Sequence, residues 1–183
     1  MSGFTKLLAR GLVSLVNADS KLQSLQMRLL AGETKDGMEH FEPYGFTANP
    51  HPGAEALAAF LGGDRSHGVI VCVADRRFRL IGLQSGEVAL YTDEGDTLHF
   101  KRGREIEITT TTLRIQATEQ VEINTTTMRI NASASVEFDT PTINTTGEII
   151  SQGDQVAGAI SQQNHVHDNV QNGPGMTNKP VGG

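Results

Sequence analysis

The sequence predicts a mainly β chain: a short N-terminal helix, a small OB-fold antiparallel barrel, then an intertwined triple-stranded β-helix built from three copies. Three observations predict it. Four short β-rich runs follow one another over residues 68–100 with turn residues between them. A pattern of 15 residues then repeats over 98–150. Hydrophobic residues make up only 37% of the 183 residues, aromatics 5%, and Trp is absent, so a lone chain has little with which to build a large core.

Residues 4–30 read as the helix. Leu8, Leu12, Leu15, Val16, Leu22, Leu25 and Leu29 recur at spacings of three, four and seven, and Gly32 supplies a stop. Residues 33–64 are broken by Gly37, Pro43, Gly45, Pro50, Pro52 and Gly53 and read as loops with short strands. Val69–Val73, Phe78–Leu83, Glu87–Tyr91 and Thr97–Phe100 are the β-rich runs. Their spacing suits a small antiparallel barrel, best matched by an OB-like one. The expected domains are a helical segment at 1–35, the barrel at 36–95, a β-helix shaft at 96–160 and an apex at 161–183.

The repeat is plain on superposition. Ile106-Glu107-Ile108, Val121-Glu122-Ile123 and Val136-Glu137-Phe138 align at a shift of 15, as do Leu98-His99-Phe100, Leu113-Arg114-Ile115, Met128-Arg129-Ile130 and Ile143-Asn144-Thr145. Threonine-rich connectors such as Thr109–Thr112 and Thr125–Thr127 join them. Alternation sends the outer residues of each triplet to one face and the central residue to the other. One apolar face per strand cannot enclose a core within one chain. Three copies are the fewest that close a prism with every apolar face inward. A single-chain solenoid or an ordinary sandwich is the alternative, and two short strands in 15 residues suit a three-faced solenoid coil poorly.

Charge and composition exclude several functions. A net charge of −6 and few aromatics oppose nucleic-acid binding. The single cysteine, Cys72, rules out an internal disulfide and reads as a small hydrophobe. Lys6 and Arg10 are not followed by a signal-type apolar core, and no stretch approaches the roughly 20 apolar residues of a membrane span. The expectation is a soluble product of the cytoplasm without a signal peptide. Glu105, Glu107, Glu119 and Glu122 could suggest paired carboxylates for glycan hydrolysis. Recurrence of the same Glu in each repeat is what stacking produces, and no catalytic residue is assigned. No small-molecule substrate is implied.

One motif carries metal chemistry. In extended chain, residues two apart point the same way, so His165 and His167 share one direction. On a three-fold axis three copies converge six imidazoles, a number that octahedral iron or nickel accepts and tetrahedral zinc does not. A saturated site leaves no position for substrate, so the metal would be structural. His40, His51, His67 and His99 lack such spacing and read as surface or turn residues, with His99 exposed.

The combination of Asp75-Arg76-Arg77-Phe78-Arg79, Gly86-Glu87-Val88-Ala89-Leu90-Tyr91, Gly95–Gly103, the repeats, and His165-x-His167 followed by Val170, Gly173, Thr177 and Pro180 resembles the central baseplate spikes of contractile-tailed phages over essentially the whole chain. The resemblance implies an OB-fold domain, a triple-stranded β-helix and a conical apex. It also implies one iron ion per trimer, held by His165 and His167 of each copy; related spikes hold calcium and chloride as well, which map to no residues here. It further implies seating on baseplate hub proteins, a virion location at the tail tip, and mechanical passage through the host outer membrane on sheath contraction. A tail adhesin binding a surface glycan or receptor is the alternative. It would be expected to display aromatics, yet neither Tyr44 nor Tyr91 lies in the repeat.

Overall fold

The computed structural model describes residues 7–29, 32–166, 168 and 173. It divides into two compact units, 1–121 and 122–183.

The first unit opens with a closed five-stranded barrel. Its strands are β1 (Leu8–Asn17), β2 (Ser24–Leu29), β3 (Thr34–His40), β4 (Glu55–Phe60) and β5 (Gly68–Ala74), in the order β1-β2-β3-β5-β4. β4 closes antiparallel onto β1, and β3 runs parallel to β5 through Glu39↔Val69 and His40↔Ile70. This is a small Greek-key closure of the kind an OB-like barrel has. Alternation fills it: Val13, Leu25, Met27, Leu29, Met38, Ala56, Ala58, Phe60 and Ile70 point inward and are buried. The small alanines of β4 leave room for Met27 and Phe60, as tight interiors require.

The expected N-terminal helix is not there. Residues 8–17 and 24–29 are barrel strands, and residues 4–6 and 30 lie outside the described residues. The misleading leucine spacing has a physical cause. A spacing of four is also two strand periods, as Leu25 and Leu29 show by both pointing inward. An irregularity between Val13 and Leu15 shifts the phase of β1, so Leu12 and Leu15, three apart, both face outward. The real break sits at 18–23, where the Asn17 side chain accepts from the Asp19 N–H and the Ser20 hydroxyl bonds the Asn17 carbonyl.

After the barrel, Asp75 accepts backbone bonds from Phe78 and Arg79, and the run Phe78–Leu83 expected as a strand is irregular. Three strands follow as an antiparallel meander: β6 (Val88–Tyr91), β7 (Thr97–Lys101) and β8 (Glu105–Thr109). Its register sorts the side chains by chemistry. Val88↔Phe100↔Ile106 and Leu90↔Leu98↔Ile108 share one face; Ala89↔His99↔Glu107 and Lys101↔Glu105 share the other. Glu87 holds the entry to the sheet. Its carboxylate accepts the N–H of Gln84 at 2.9 Å, the N–H of Arg102 at 3.1 Å and His99 Nε2 at 3.1 Å. Those bonds, the Gln84 N–H foremost, hold its pKa below the ordinary glutamate range.

In the second unit the 15-residue repeat reappears as geometry. Thr125 Oγ1 donates to Thr127 O at 3.1 Å and accepts the Thr127 N–H at 3.3 Å; Thr140 and Thr142 do the same at 3.1 and 3.4 Å. Each hydroxyl closes a local bend of the backbone, a bond that threonine side chains readily make. The described chain ends in a hairpin, β9 (Val156–Ala157) with β10 (Ile160–Ser161), turned by Gly158 at φ 61°.

Candidate metal-ligating residue and uncovered apolar faces

His165 follows β10 directly and is tied to it. Its backbone N–H bonds the Ser161 carbonyl at 3.2 Å, and the Ser161 hydroxyl accepts the Asn164 N–H at 2.8 Å. Asp154 braces the same turn through the Gln163 N–H at 3.0 Å. Bonding to the Ser161 side chain, with that N–H, keeps the Asp154 carboxyl below its usual range. The ring Nδ1 lies 2.9 Å from the Ser161 carbonyl and 3.2 Å from the Gln162 carbonyl. Carbonyl oxygens only accept, so Nδ1 is the donating nitrogen in these contacts. Backbone carbonyls orient metal-binding imidazoles through Nδ1 in the same way. His167 lies outside the described residues. Within one chain, among the described residues, no three His, Cys, Asp or Glu side chains gather around a metal-sized point.

Two of the other histidines, His40 and His99, depart from the sequence reading. His40 is buried, its ring 3.4 Å from Gln23 Oε1 and its backbone N–H on the Gln23 carbonyl. His99 is half-buried rather than exposed, between Glu87 and the sheet. His51 does lie at the surface, 3.0 Å from Asp93 with its ring against Phe78. His67 is exposed beside Asp64. Of the carboxylates weighed for hydrolysis, Glu105 and Glu107 flank Lys101, whose contact lowers the Glu107 pKa, and Glu119 and Glu122 are exposed.

The feature that sequence reasoning placed best is apolar. On the sheet, Val88, Leu90, Phe100, Ile106 and Ile108 are exposed along one face. The repeat positions Leu113, Ile115, Val121, Ile123, Met128, Ile130, Val136, Phe138 and Ile143 are exposed too. Among the described residues, 110–155 contain no strand. Among those residues, no helix is long and apolar enough to cross a membrane.

The model of the N-terminal domain of bacteriophage Mu Gp45 matches residues 10–77, the stretch that holds nearly all of β1 to β5. The baseplate puncturing device gp45 of Escherichia phage Mu is 38% identical over 111 residues, 61% of this chain and 56% of that protein. The Mu-like prophage FluMu protein gp45 of Haemophilus influenzae is 37% identical over 114 residues, 62% of each. The matched part thus spans under two thirds of each relative. Residues 10–77 match the Mu Gp45 N-terminal domain, and the chain resembles the Mu baseplate puncturing device.

Proposed function

We propose that this chain is one third of a homotrimeric central spike at the baseplate of a contractile phage tail, which pierces the host outer membrane when the sheath contracts. The observation that carries the reading is the uncovered apolar face that begins on the β6–β8 sheet and recurs at each 15-residue repeat. Such a surface is covered in water by other chains. The similarity to a protein named as a baseplate puncturing device supports a place at the baseplate of the virion.

In this reading the role is mechanical and not catalytic. Three intertwined shafts pair their backbones between chains and leave no free sheet edge at the sides, so the needle resists unravelling under load. Its weak point is the free end. There His165 and His167 of the three copies hold one iron ion, which cross-links the chains where little apolar area is available. The Ser161 and Gln162 carbonyls hold the orientation of each His165 ring through Nδ1. Force concentrated at a narrow tip opens the membrane without chemistry on the lipid.

Native mass spectrometry of the protein purified without chelators tests the assembly. The expected result is a trimer with one iron-sized mass increment, lost in the His165→Ala, His167→Ala double variant while the trimer persists. A monomer, or one metal per chain, overturns the reading. Phage carrying the double variant should still contract their tails but infect less. Full infectivity with a metal-free tip would remove the iron from the mechanism.

A further inference from the structure

The loop 41–50 and β5 enclose a groove of about 790 Å³ whose apolar lining is Phe41, Phe46, Val71, Val73, Leu90 and Tyr91. The loop is held open by its own bonds. Pro43 accepts the Phe46 N–H at 3.0 Å across a turn in which Gly45 takes φ +86°, a conformation glycine alone adopts cheaply. Glu42 takes the Thr47 hydroxyl at 3.0 Å and the Ala48 N–H at 2.7 Å. Phe41, Tyr44 and Phe46 are thereby kept in water. The polar groups of the groove are already engaged: Glu42 by its loop, Asp75 by Arg77 at 2.9 Å, and His40 by Gln23. The groove therefore offers an incoming molecule apolar surface and no unused charge, which suits protein side chains better than an ion or a sugar.

Leu90 and Tyr91 also border a second hollow with Leu98, Ile108 and Leu113. Leu90, on the uncovered face of the β6–β8 sheet, lines both hollows, so that face and the barrel groove meet at this residue. A chain that covers the sheet at Leu90 therefore borders the groove. We infer that a second copy of this chain fills it, so that the trimer is locked at the barrels as well as along the shaft. This rests on the trimeric reading above.

Cys72 reports on it. It is the only cysteine of the chain, lines the groove and is exposed in the single chain. The rate of its reaction with a disulfide reagent such as DTNB is measured on the full-length native protein and on the guanidinium-unfolded chain, beside native mass spectrometry. The expected result is a trimer whose thiol reacts about 100-fold or more slowly than the unfolded chain. Phe46→Glu, at an exposed side chain outside the barrel core, should restore the rate to within about tenfold of the unfolded chain while the shaft keeps the trimer. A trimer whose thiol reacts within about threefold of the unfolded rate overturns the inference and leaves the trimer standing, with the groove open to another protein. Equal protection in wild type and Phe46→Glu overturns it too, since the cover then comes from the chain itself. A monomer removes both readings.

Discussion

Ile123→Ala separates a free chain from one buried in a trimer. Ile123 is 61% exposed in the single chain, beside Glu122 on the opposite face of the extended backbone. Truncating a side chain at an ordinary surface position changes stability by at most about 0.5 kcal/mol. If three copies bury the face, the remaining exposed part of Ile123 becomes covered. Burying a whole isoleucine is worth about 1.5–3 kcal/mol, so the uncovered fraction corresponds to about 1–2 kcal/mol per chain. Three-fold symmetry applies the loss three times, about 3–6 kcal/mol per trimer, before any cavity is counted. That is about a hundred-fold to ten-thousand-fold weaker assembly. Guanidinium unfolding followed by far-ultraviolet dichroism, with native mass spectrometry at each denaturant step, reads both stability and stoichiometry. A trimer with an unchanged midpoint would refute the argument that this face is the seam.

Two further expectations concern the first unit. Gly11 pairs with Leu29 and Ala56 where the barrel closes, and a Cβ there would stand 2.4 Å from the Arg28 carbonyl oxygen; Gly11→Ala should cost about 1–3 kcal/mol of barrel stability in urea unfolding, and an unshifted midpoint would contradict that packing. Glu87 has a pKa lowered by the backbone N–H groups of Gln84 and Arg102 and then by His99. A carboxyl depressed in the folded state contributes stability in full above its unfolded value, about pH 4.3, and loses it as pH falls through the folded one. Thermal midpoints of the wild type should therefore drop in acid more steeply than those of Glu87→Gln; parallel curves would show that the carboxylate does not anchor the sheet.

The sequence was most legible where it repeats. Like residues at a shift of 15 mark the uncovered face, and the Thr125 and Thr140 turns bear the period out in geometry. The strands near 69–73, 87–91 and 97–100 were also readable, because each is a short β-rich run between turn residues. The N-terminus was not. Its bulge and even spacings imitate a helix, and the pairing of β1 with β4 joins residues far apart in sequence, which no local pattern announces. The burial of His40 likewise follows from its place on a strand packed beside β5, with Gln23 as partner across 17 residues. At the candidate site, the His-x-His spacing marked His165, but the carbonyls that orient its ring come from the last residue of β10 and the one after it. Two residues of strand carry too weak an alternation to be read in advance.

Barrel and shaft differ in what they need in order to fold. The barrel buries its own core and closes its own hydrogen bonds, so one chain suffices. Residues 110–155, in the described structure, pair into no strand within the chain, and ordering each costs about 1–2 kcal/mol of backbone entropy. In the proposed trimer, that cost is offset only when three apolar faces meet and the backbones pair between chains. Barrels that contact one another through the Phe41–Phe46 groove would hold three shafts at high effective concentration and make association local. Assembly would then start at the β6–β8 sheets, where each chain already presents a formed apolar face, and advance repeat by repeat as in other stacked architectures. Each repeat adds its apolar layer to one already formed. In that reading, a metal held by three chains would contribute most where the apolar layers give out.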